Sequence, residues 1–150
     1  MNNAWALKKG FTIIELLVAI VVIGILIGIV VVSYGTIQQR SRDAERESDI
    51  TQIKIALEKY HAEKSMYPEV CDEDGTACNI SLLSSELSPY LKVIPHDPRN
   101  APDTFADYRY VRGDTSTDSY AIYASYESKA PCKTGNNVNV QWWGATVPTC

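Results

Sequence analysis

The N-terminal part of this 150-residue chain is almost free of charge. Of the 18 acidic residues only Glu15, and of the 14 basic residues only Lys8 and Lys9, precede residue 36. With 45% hydrophobic and 21% charged residues overall, the chain is neither a disordered polymer nor a collagen-like repeat. A chain of this length holds one compact domain and at most one appendage, which leaves no room for a two-domain enzyme.

Residues that would support catalysis, metal binding or nucleic-acid binding are also scarce. The sequence has two histidines, His61 and His96, without a nucleophile–base arrangement, a phosphate-binding loop or a paired metal-ligand motif. A zinc site built from His96 and the cysteines would lack the close CxxC or HxxxH pair that such sites use. Residues 36–150 carry 12 basic and 17 acidic residues, which argues against binding through nucleic-acid phosphates. We therefore expect no enzyme, no specific nucleic-acid binder and no resident metal.

Residues 16–32 form an unbroken apolar run, long enough to be a membrane-spanning helix. Counted from Phe11 to Ser33, the segment gives about 35 Å of helix, enough to cross a bilayer with some tilt. Lys8 and Lys9 precede it and favour an N-terminus in the cytoplasm. Two simple interpretations are a cleaved secretory signal and a plain signal anchor.

Neither simple interpretation explains Glu15. A carboxylate inside a spanning segment costs about 2.5–3.5 kcal/mol at the helix centre, and less near the interface. The basic pair and Gly10 lie before the apolar run, whereas a secretory signal is cut after it. A cut after Gly10 would leave the apolar helix on the product and would create a new α-amino group at Phe11.

These residues resemble the class III signal of type IV pilins and of type II secretion pseudopilins. The resemblance implies that the chain is cut after Gly10, that Phe11 becomes the N-methylated first residue, and that Glu15 occupies the fifth mature position. Glycine and tyrosine are also common in these families at two further positions, here Gly24 and Tyr34.

The resemblance also implies a role for Glu15. Its charge is poorly placed in lipid, but in a fibre it can meet the Phe11 ammonium of a neighbouring subunit, and the two charges tolerate burial only as a pair. Gly24 and Gly28 form a GxxxG pattern, which allows close helix approach but equally indicates helix flexibility. Pilins usually have proline at the position of Val32, near where the helix loosens in fibres, and the two glycines are candidates for supplying that loosening.

The remaining sequence predicts an α+β fold. No proline occurs before Pro68, and residues 36–64 are rich in good helix formers. An apolar stripe at three- and four-residue spacing consists of Ile50, Ile53, Leu57 and Tyr60. We expect one helix from about Phe11 to Lys64, membrane-spanning in its first half and packed by its second half against a small antiparallel sheet. Residues 45–49 are assigned to a charged, solvated face.

Three segments have the alternating pattern of strands, namely residues 108–111, 120–126 and 138–143. The expected organisation is a leader at 1–10, a hydrophobic transmembrane or filament-core helix at 11–35, and a head at 36–150. Within the head we expect a helix at 36–64, a loop at 65–106 and a β region at 107–150.

All four cysteines lie in the part of the chain expected outside the cell membrane. An even number of cysteines in such a setting favours disulfides, and three pairings are open. We favour Cys71–Cys78 with Cys132–Cys150, and the loop closed by the second bridge resembles the disulfide-bounded region of type IV pilins. A ring of that size is worth roughly 3 kcal/mol in the chain-entropy account.

Major pseudopilins bind calcium near the C-terminal end, so the resemblance makes calcium a candidate cofactor. No set of residues in this sequence matches those ligands, and we otherwise expect no cofactor. The acidic cluster Asp72-Glu73-Asp74 is interpreted as a solvated turn, because calcium needs six to eight oxygen ligands.

Trp142 and Trp143 stand near the C-terminal loop and have two interpretations. They are either an exposed contact surface for a host or substrate, or they pack the loop onto the sheet.

The function that the resemblance implies is that of a structural subunit in a type IV pilus-like filament for adhesion, motility or DNA uptake. The implied partners are further copies of the chain, minor pilins, a prepilin peptidase, an inner-membrane platform protein, an assembly ATPase and, before assembly, membrane lipid. The implied location is the bacterial cytoplasmic membrane, crossed once, followed by an extracellular pilus or a periplasmic pseudopilus. One alternative is a major pseudopilin that drives type II secretion. An alternative of another class is a signal-anchored extracytoplasmic binding module.

Overall fold

A computed structural model describes residues 10–71, apart from the side chains of 30–33, together with residues 77–99, 107–113 and 118–150. The chain divides into two units, residues 1–38 and residues 39–150, which are described separately. The leader before Gly10 and the acidic cluster at 72–74 lie outside the described residues.

Helix α1 spans Ile13–Lys64, 52 residues without a break. It begins with a capping box, in which the Thr12 hydroxyl accepts a hydrogen bond from the Glu15 N–H at 3.2 Å and the Glu15 carboxylate accepts one from the Thr12 N–H at 2.9 Å. It ends where Ser65 adopts a positive φ of 56°, a left-handed conformation that often stops helices. The predicted long helix is confirmed, and it starts two residues later than expected.

In the first unit, the large apolar side chains of α1 are exposed along the described residues. Over this stretch α1 is long and apolar enough to cross a membrane, judged by length and composition alone. Phe11 is 89% exposed, and the exposed fraction of the large apolar side chains that follow stays near or above one half. Such a surface is unfavourable in water and indicates a lipid or protein environment.

The second unit contains a four-stranded antiparallel sheet in the order β1-β2-β3-β4. The strands are β1 (Cys78–Asn79), β2 (Arg109–Arg112), β3 (Tyr120–Ala124) and β4 (Cys132–Asn136). In β2 and β3, Tyr110 lies opposite Ile122 and Val111 opposite Ala121. The predicted α+β fold with a small antiparallel sheet is therefore confirmed.

The core of the second unit forms between α1 and the sheet. The predicted stripe is buried at Ile53 and Leu57, both 0% exposed, and Tyr60 is half-buried at its edge. The sheet contributes buried aromatic and aliphatic side chains, and a short connecting segment contributes three more. These residues are Tyr108, Tyr110, Tyr120 and Ile122 from the sheet side and Ile80, Leu83 and Leu87 from the connection.

The prediction of a strand at 138–143 is wrong. That segment is a turn, and the fourth strand is Cys132–Asn136, whose residues pair with all of β3 from Ala124↔Cys132 to Tyr120↔Asn136. Glycine and asparagine make this strand a poor candidate by propensity, but close pairing requires glycine at 135, because a Cβ there would lie 2.1 Å from the Tyr120 carbonyl oxygen. Asn137, with φ of 48°, ends the strand.

The expected loop at 65–106 is also more structured than predicted. It contains β1, a 3₁₀ turn at Ile80–Leu83 and the short helix α2 at Ser84–Leu87. The Asn79 side chain caps the turn by accepting a hydrogen bond from the Ser81 N–H at 3.2 Å. These elements are too short to show a periodicity, which is why the pattern of the sequence did not reveal them.

Candidate processing and assembly site

Gly10 and Phe11 precede the first residue of α1 and are both exposed. Nothing lies within 4 Å of the position where a Cβ of residue 10 would stand. The peptide bond between the two residues is therefore outside the helix and exposed. The structure places the two predicted processing residues side by side at the entrance of the apolar helix.

Glu15 lies in the first turn of α1, where a carboxylate is favourable because of the helix dipole. One of its oxygens accepts hydrogen bonds from both the N–H and the hydroxyl of Thr12, at 2.9 and 2.8 Å. Sequence reasoning missed Thr12, although Thr-Ile-Ile-Glu is the S/T-x-x-E signature of a capping box. The carboxylate is thereby turned toward the end of the chain at which a cut after Gly10 would create an ammonium group.

Gly24 and Gly28 lie on the apolar part of α1 with open space around them. Nothing is found within 4 Å of the position where a Cβ would stand at either residue. Both positions are thus accessible to a second helix, as close helix packing through small residues requires. The backbone remains helical through residues 30–33, which include the position of Val32.

A buried ion network, which we call the Arg46 network, consists of Asp43, Arg46, Asp97 and Glu127. The Arg46 side chain is 2% exposed. Its guanidinium donates to both oxygens of Asp97, at 2.6 and 3.0 Å, to Asp43 at 2.6 Å and to Glu127 at 3.1 Å. It therefore joins α1 to two segments that lie 51 and 81 residues away in the chain.

Hydrogen bonds within and around this network shift the pKa values of Asp43 and Glu127 downward, toward the ionised form. Burial by itself raises the pKa of the Asp43 carboxyl, but hydrogen bonds from the hydroxyl and N–H of Ser128 and from the N–H of Glu127 outweigh it, and the pKa lies well below its usual range. The Arg42 guanidinium, which donates two hydrogen bonds of 2.6 Å, lowers the pKa of Glu127 to about 2. Asp49 lies outside this network. Burial raises the pKa of its carboxyl, and this effect outweighs the hydrogen bond from the Tyr108 hydroxyl, which lowers the pKa.

The solvated face predicted for residues 45–49 is therefore wrong at Arg46. Asp49 is half-buried and accepts a hydrogen bond of 2.9 Å from the Tyr108 hydroxyl. Glu45, Glu47 and Ser48 are exposed as expected. No local pattern distinguishes Arg46 from the charged residues beside it, because the partners that bury it come from distant segments.

The head contains two disulfides, Cys71–Cys78 and Cys132–Cys150. This is the pairing that the sequence analysis favours among the three. The second bridge closes the C-terminal loop, residues 132–150, onto strand β4. Main-chain hydrogen bonds add to it, since the Lys133 N–H donates to the Pro148 carbonyl and the Cys150 N–H donates to the Lys133 carbonyl, each at 2.9 Å.

The two tryptophans of the loop, Trp142 and Trp143, are half-buried, and their interpretation as a contact surface stays a prediction. The Trp143 ring packs against Tyr123 of strand β3 with ring centroids 5.4 Å apart. This contact fits the interpretation that Trp143 packs the loop onto the sheet.

The histidines each pair with one carboxylate. His61 on α1 contacts Asp118 at 2.9 Å and stacks on Tyr67 with centroids 4.4 Å apart. His96 contacts Asp107 at 2.8 Å, and the Asp107 carboxylate also accepts the Tyr108 N–H. In the described parts of the chain, no group of three or more His, Cys, Asp or Glu side chains is arranged to hold a metal ion.

Comparison with known proteins places these features in context. The family profile described as "Prokaryotic N-terminal methylation motif" matches residues 5–31. The type IV major pilin protein PilA of Myxococcus xanthus is 32% identical over 70 residues, 47% of this chain and 32% of the pilin. The chain thus spans about a third of that relative's length. No solved structure matches the chain at a significant level.

Two further relatives align over a larger share of this chain. The type II secretion system core protein G of Aeromonas hydrophila is 28% identical over 102 residues, 63% of this chain and 70% of the relative. The core protein G of Klebsiella michiganensis is 31% identical over 98 residues, 61% of this chain and 68% of the relative.

Proposed function

This chain belongs to the family of type IV pilins and type II secretion pseudopilins, and we propose that it is the structural subunit of a type IV pilus-like filament. In this proposal it is cut after Gly10, N-methylated at Phe11 and polymerised through α1. The observation that carries the proposal is the order of elements at the N-terminus. An exposed Gly10–Phe11 bond comes first, then the helix-capping Glu15, then an apolar helix whose large side chains are exposed.

Before assembly, α1 holds the subunit in the cytoplasmic membrane. Lys8 and Lys9 keep the N-terminus in the cytoplasm by the positive-inside rule, and the two disulfides suit a head on the oxidising side. A prepilin peptidase, an assembly ATPase, an inner-membrane platform protein and minor pilins are the partners that such a life cycle requires. In the pilus the function is adhesion, motility or DNA uptake.

A physical argument links Glu15 to polymerisation. Among the described residues, Thr12 is the hydrogen-bond partner of the Glu15 carboxylate. The apolar interior of a membrane raises the free-energy cost of the carboxylate charge. In the fibre, the carboxylate can pair with the methylated ammonium of Phe11 of a neighbouring subunit, and both charges are then neutralised. The pair thus favours the assembled state and fixes the axial register of one helix against the next.

A second candidate function is that of a major pseudopilin in type II secretion. The observation favouring it is that the core protein G relatives align over 63% and 61% of this chain and over 70% and 68% of their own length. In that case the same fibre would remain in the periplasm and would drive protein export. A signal-anchored binding module, by contrast, has no use for a cut after Gly10.

We expect Glu15→Gln to abolish fibre formation while leaving cleavage after Gly10 intact. Glutamine retains the size and the capacity to bond to Thr12 but removes the charge, and a buried ammonium without its partner costs about 3–5 kcal/mol. The yield of sheared fibres, measured by immunoblot against the membrane pool, should fall about 100-fold or more.

The matched control is Glu45→Gln, which removes an exposed carboxylate from the same helix in the second unit. Its fibre yield should equal that of the unaltered chain. Normal fibres from Glu15→Gln would show that charge pairing at Phe11 does not drive assembly, and an uncut product would point to the anchored module instead.

A further inference from the structure

The C-terminal loop is wrapped around the side chain of Lys133. This lysine is 2% exposed, and its ammonium donates to the carbonyl oxygens of Val140 at 2.8 Å, Trp142 at 2.8 Å and Gly144 at 3.4 Å. The carbonyls of Val140 and Trp142 belong to the turn that stands where a strand was predicted, and Gly144 follows directly after it. The ammonium thus takes the position of a small cation coordinated by main-chain oxygens.

No carboxylate balances this buried charge in the loop. The last acidic residue of the sequence is Glu127, so residues 128–150 contain neither aspartate nor glutamate. Among the described residues, the ion pairs include none to Lys133. A buried ammonium is costly unless its donors are satisfied, and here carbonyl dipoles satisfy all three.

Calcium, the candidate cofactor implied by the resemblance, does not fit this loop. Calcium takes six to eight oxygen ligands and its sites normally include carboxylates, which the loop lacks. The converging carbonyls already face a positive charge, and a divalent ion beside it would be repelled. The positive charge that faces these carbonyls is the Lys133 ammonium, which is part of the chain itself.

We propose that Lys133 is the resident cation of the C-terminal loop and makes the fold of the head independent of divalent metal ions. The ammonium is covalently part of strand β4, next to the Cys132–Cys150 bridge, so neither dilution nor chelation removes it. The bridge fixes the two ends of the loop, and the ammonium fixes its middle at Val140, Trp142 and Gly144. This inference does not depend on whether the filament is a pilus or a pseudopilus.

The test is thermal unfolding of the full chain in detergent, with excess EGTA and with excess calcium chloride. The two transition temperatures should agree within about 1 °C, because no metal contributes to the folded state. A transition lowered by EGTA and restored by calcium would overturn the proposal. This measurement needs no variant and therefore decides the question even if substitutions prevent folding.

The role of the charge is tested with Lys133→Met, which keeps an unbranched side chain one atom shorter and leaves the three carbonyls without a donor. Its transition should fall by about 5–15 °C, and limited proteolysis should nick the turn at 138–144 far faster, giving fragments that separate only after reduction. The control is Lys92→Met, which removes an exposed charge and should shift the transition by less than about 2 °C. Equal behaviour of the two variants would refute the cation role.

Discussion

Arg46→Met should destabilise the head by about 3–5 kcal/mol, because it leaves the carboxylates of the Arg46 network without their buried counter-ion. Methionine preserves most of the side-chain volume, so the loss reports charge rather than a cavity. Asp97 is the carboxylate most affected by the loss of the counter-ion, since its side chain is 1% exposed and both of its oxygens accept hydrogen bonds from Arg46. For a head of this size the expected fall in the melting temperature is roughly 10–20 °C.

The matched control is Arg99→Met. Arg99 contacts Glu127 of the same network at 3.3 Å, but its side chain is 64% exposed. Exposed ion pairs contribute about 1 kcal/mol or less, so this variant should melt close to the unaltered chain. Chemical unfolding of the full chain in detergent measures both variants, and equal losses would mean that Arg46 is not the centre of the network.

The second large effect is a steep loss of stability at alkaline pH. Tyr108, Tyr110 and Tyr120 are 0% exposed, and burial raises the pKa of each phenol above its ordinary value. Burial and the Glu58 carboxylate likewise raise the pKa of Tyr67 to about 12, although the hydrogen bond from the Asn136 amide lowers it. The folded state thus keeps protons that the unfolded chain releases above about pH 10.

The direction of these pKa shifts determines how the free energy of unfolding changes with pH. Stability is fully present below the unfolded pKa of about 10 and is lost as the pH rises toward the folded values. Each buried tyrosine contributes about 1.4 kcal/mol per pH unit in that window, so Tyr108, Tyr110 and Tyr120 together give roughly 4 kcal/mol per unit. Tyr67, also 0% exposed, adds to this loss up to its pKa of about 12. The free energy of unfolding should therefore collapse between about pH 10 and 12.

Equilibrium unfolding at a series of pH values, with tyrosine ionisation followed by absorbance, measures this loss. Tyr110→Phe provides the internal comparison, because it removes one titrating group whose hydroxyl donates to the Pro68 carbonyl at 2.9 Å. Its slope should be lower by about 1.4 kcal/mol per pH unit. A stability that stays flat to about pH 12, or a slope that Tyr110→Phe leaves unchanged, would contradict the account.

Features set by local pattern could be predicted from the sequence. The apolar stripe that includes Ile53 and Leu57 repeats at helical spacing over several turns, and the helix and its buried face follow from it. Strands β2 and β3 are rich in tyrosine and branched residues with an alternating pattern, so they too were predictable. The order of Gly10, Phe11 and Glu15 needs no tertiary information at all.

Features set by distant contacts could not be predicted. Strand β4 has the composition of a loop, and its pairing with β3 overrides propensity. Arg46 and Lys133 look like ordinary surface charges, since the groups that satisfy them lie elsewhere in the chain or in a turn without a sequence signature. Thr12 is the exception, because the capping-box pattern with Glu15 was present in the sequence and was overlooked.

Processing at Gly10 and assembly through α1 are tested together by the non-reduced intact mass of the protein in sheared-surface and membrane fractions. We expect a species that begins at methylated Phe11 and, with two disulfides, is four hydrogens lighter than its reduced form. Abundance in the sheared fraction identifies a surface pilus, and the same species confined to the membrane fraction identifies a pseudopilus. An uncut chain beginning at Met1 in both fractions would contradict the account.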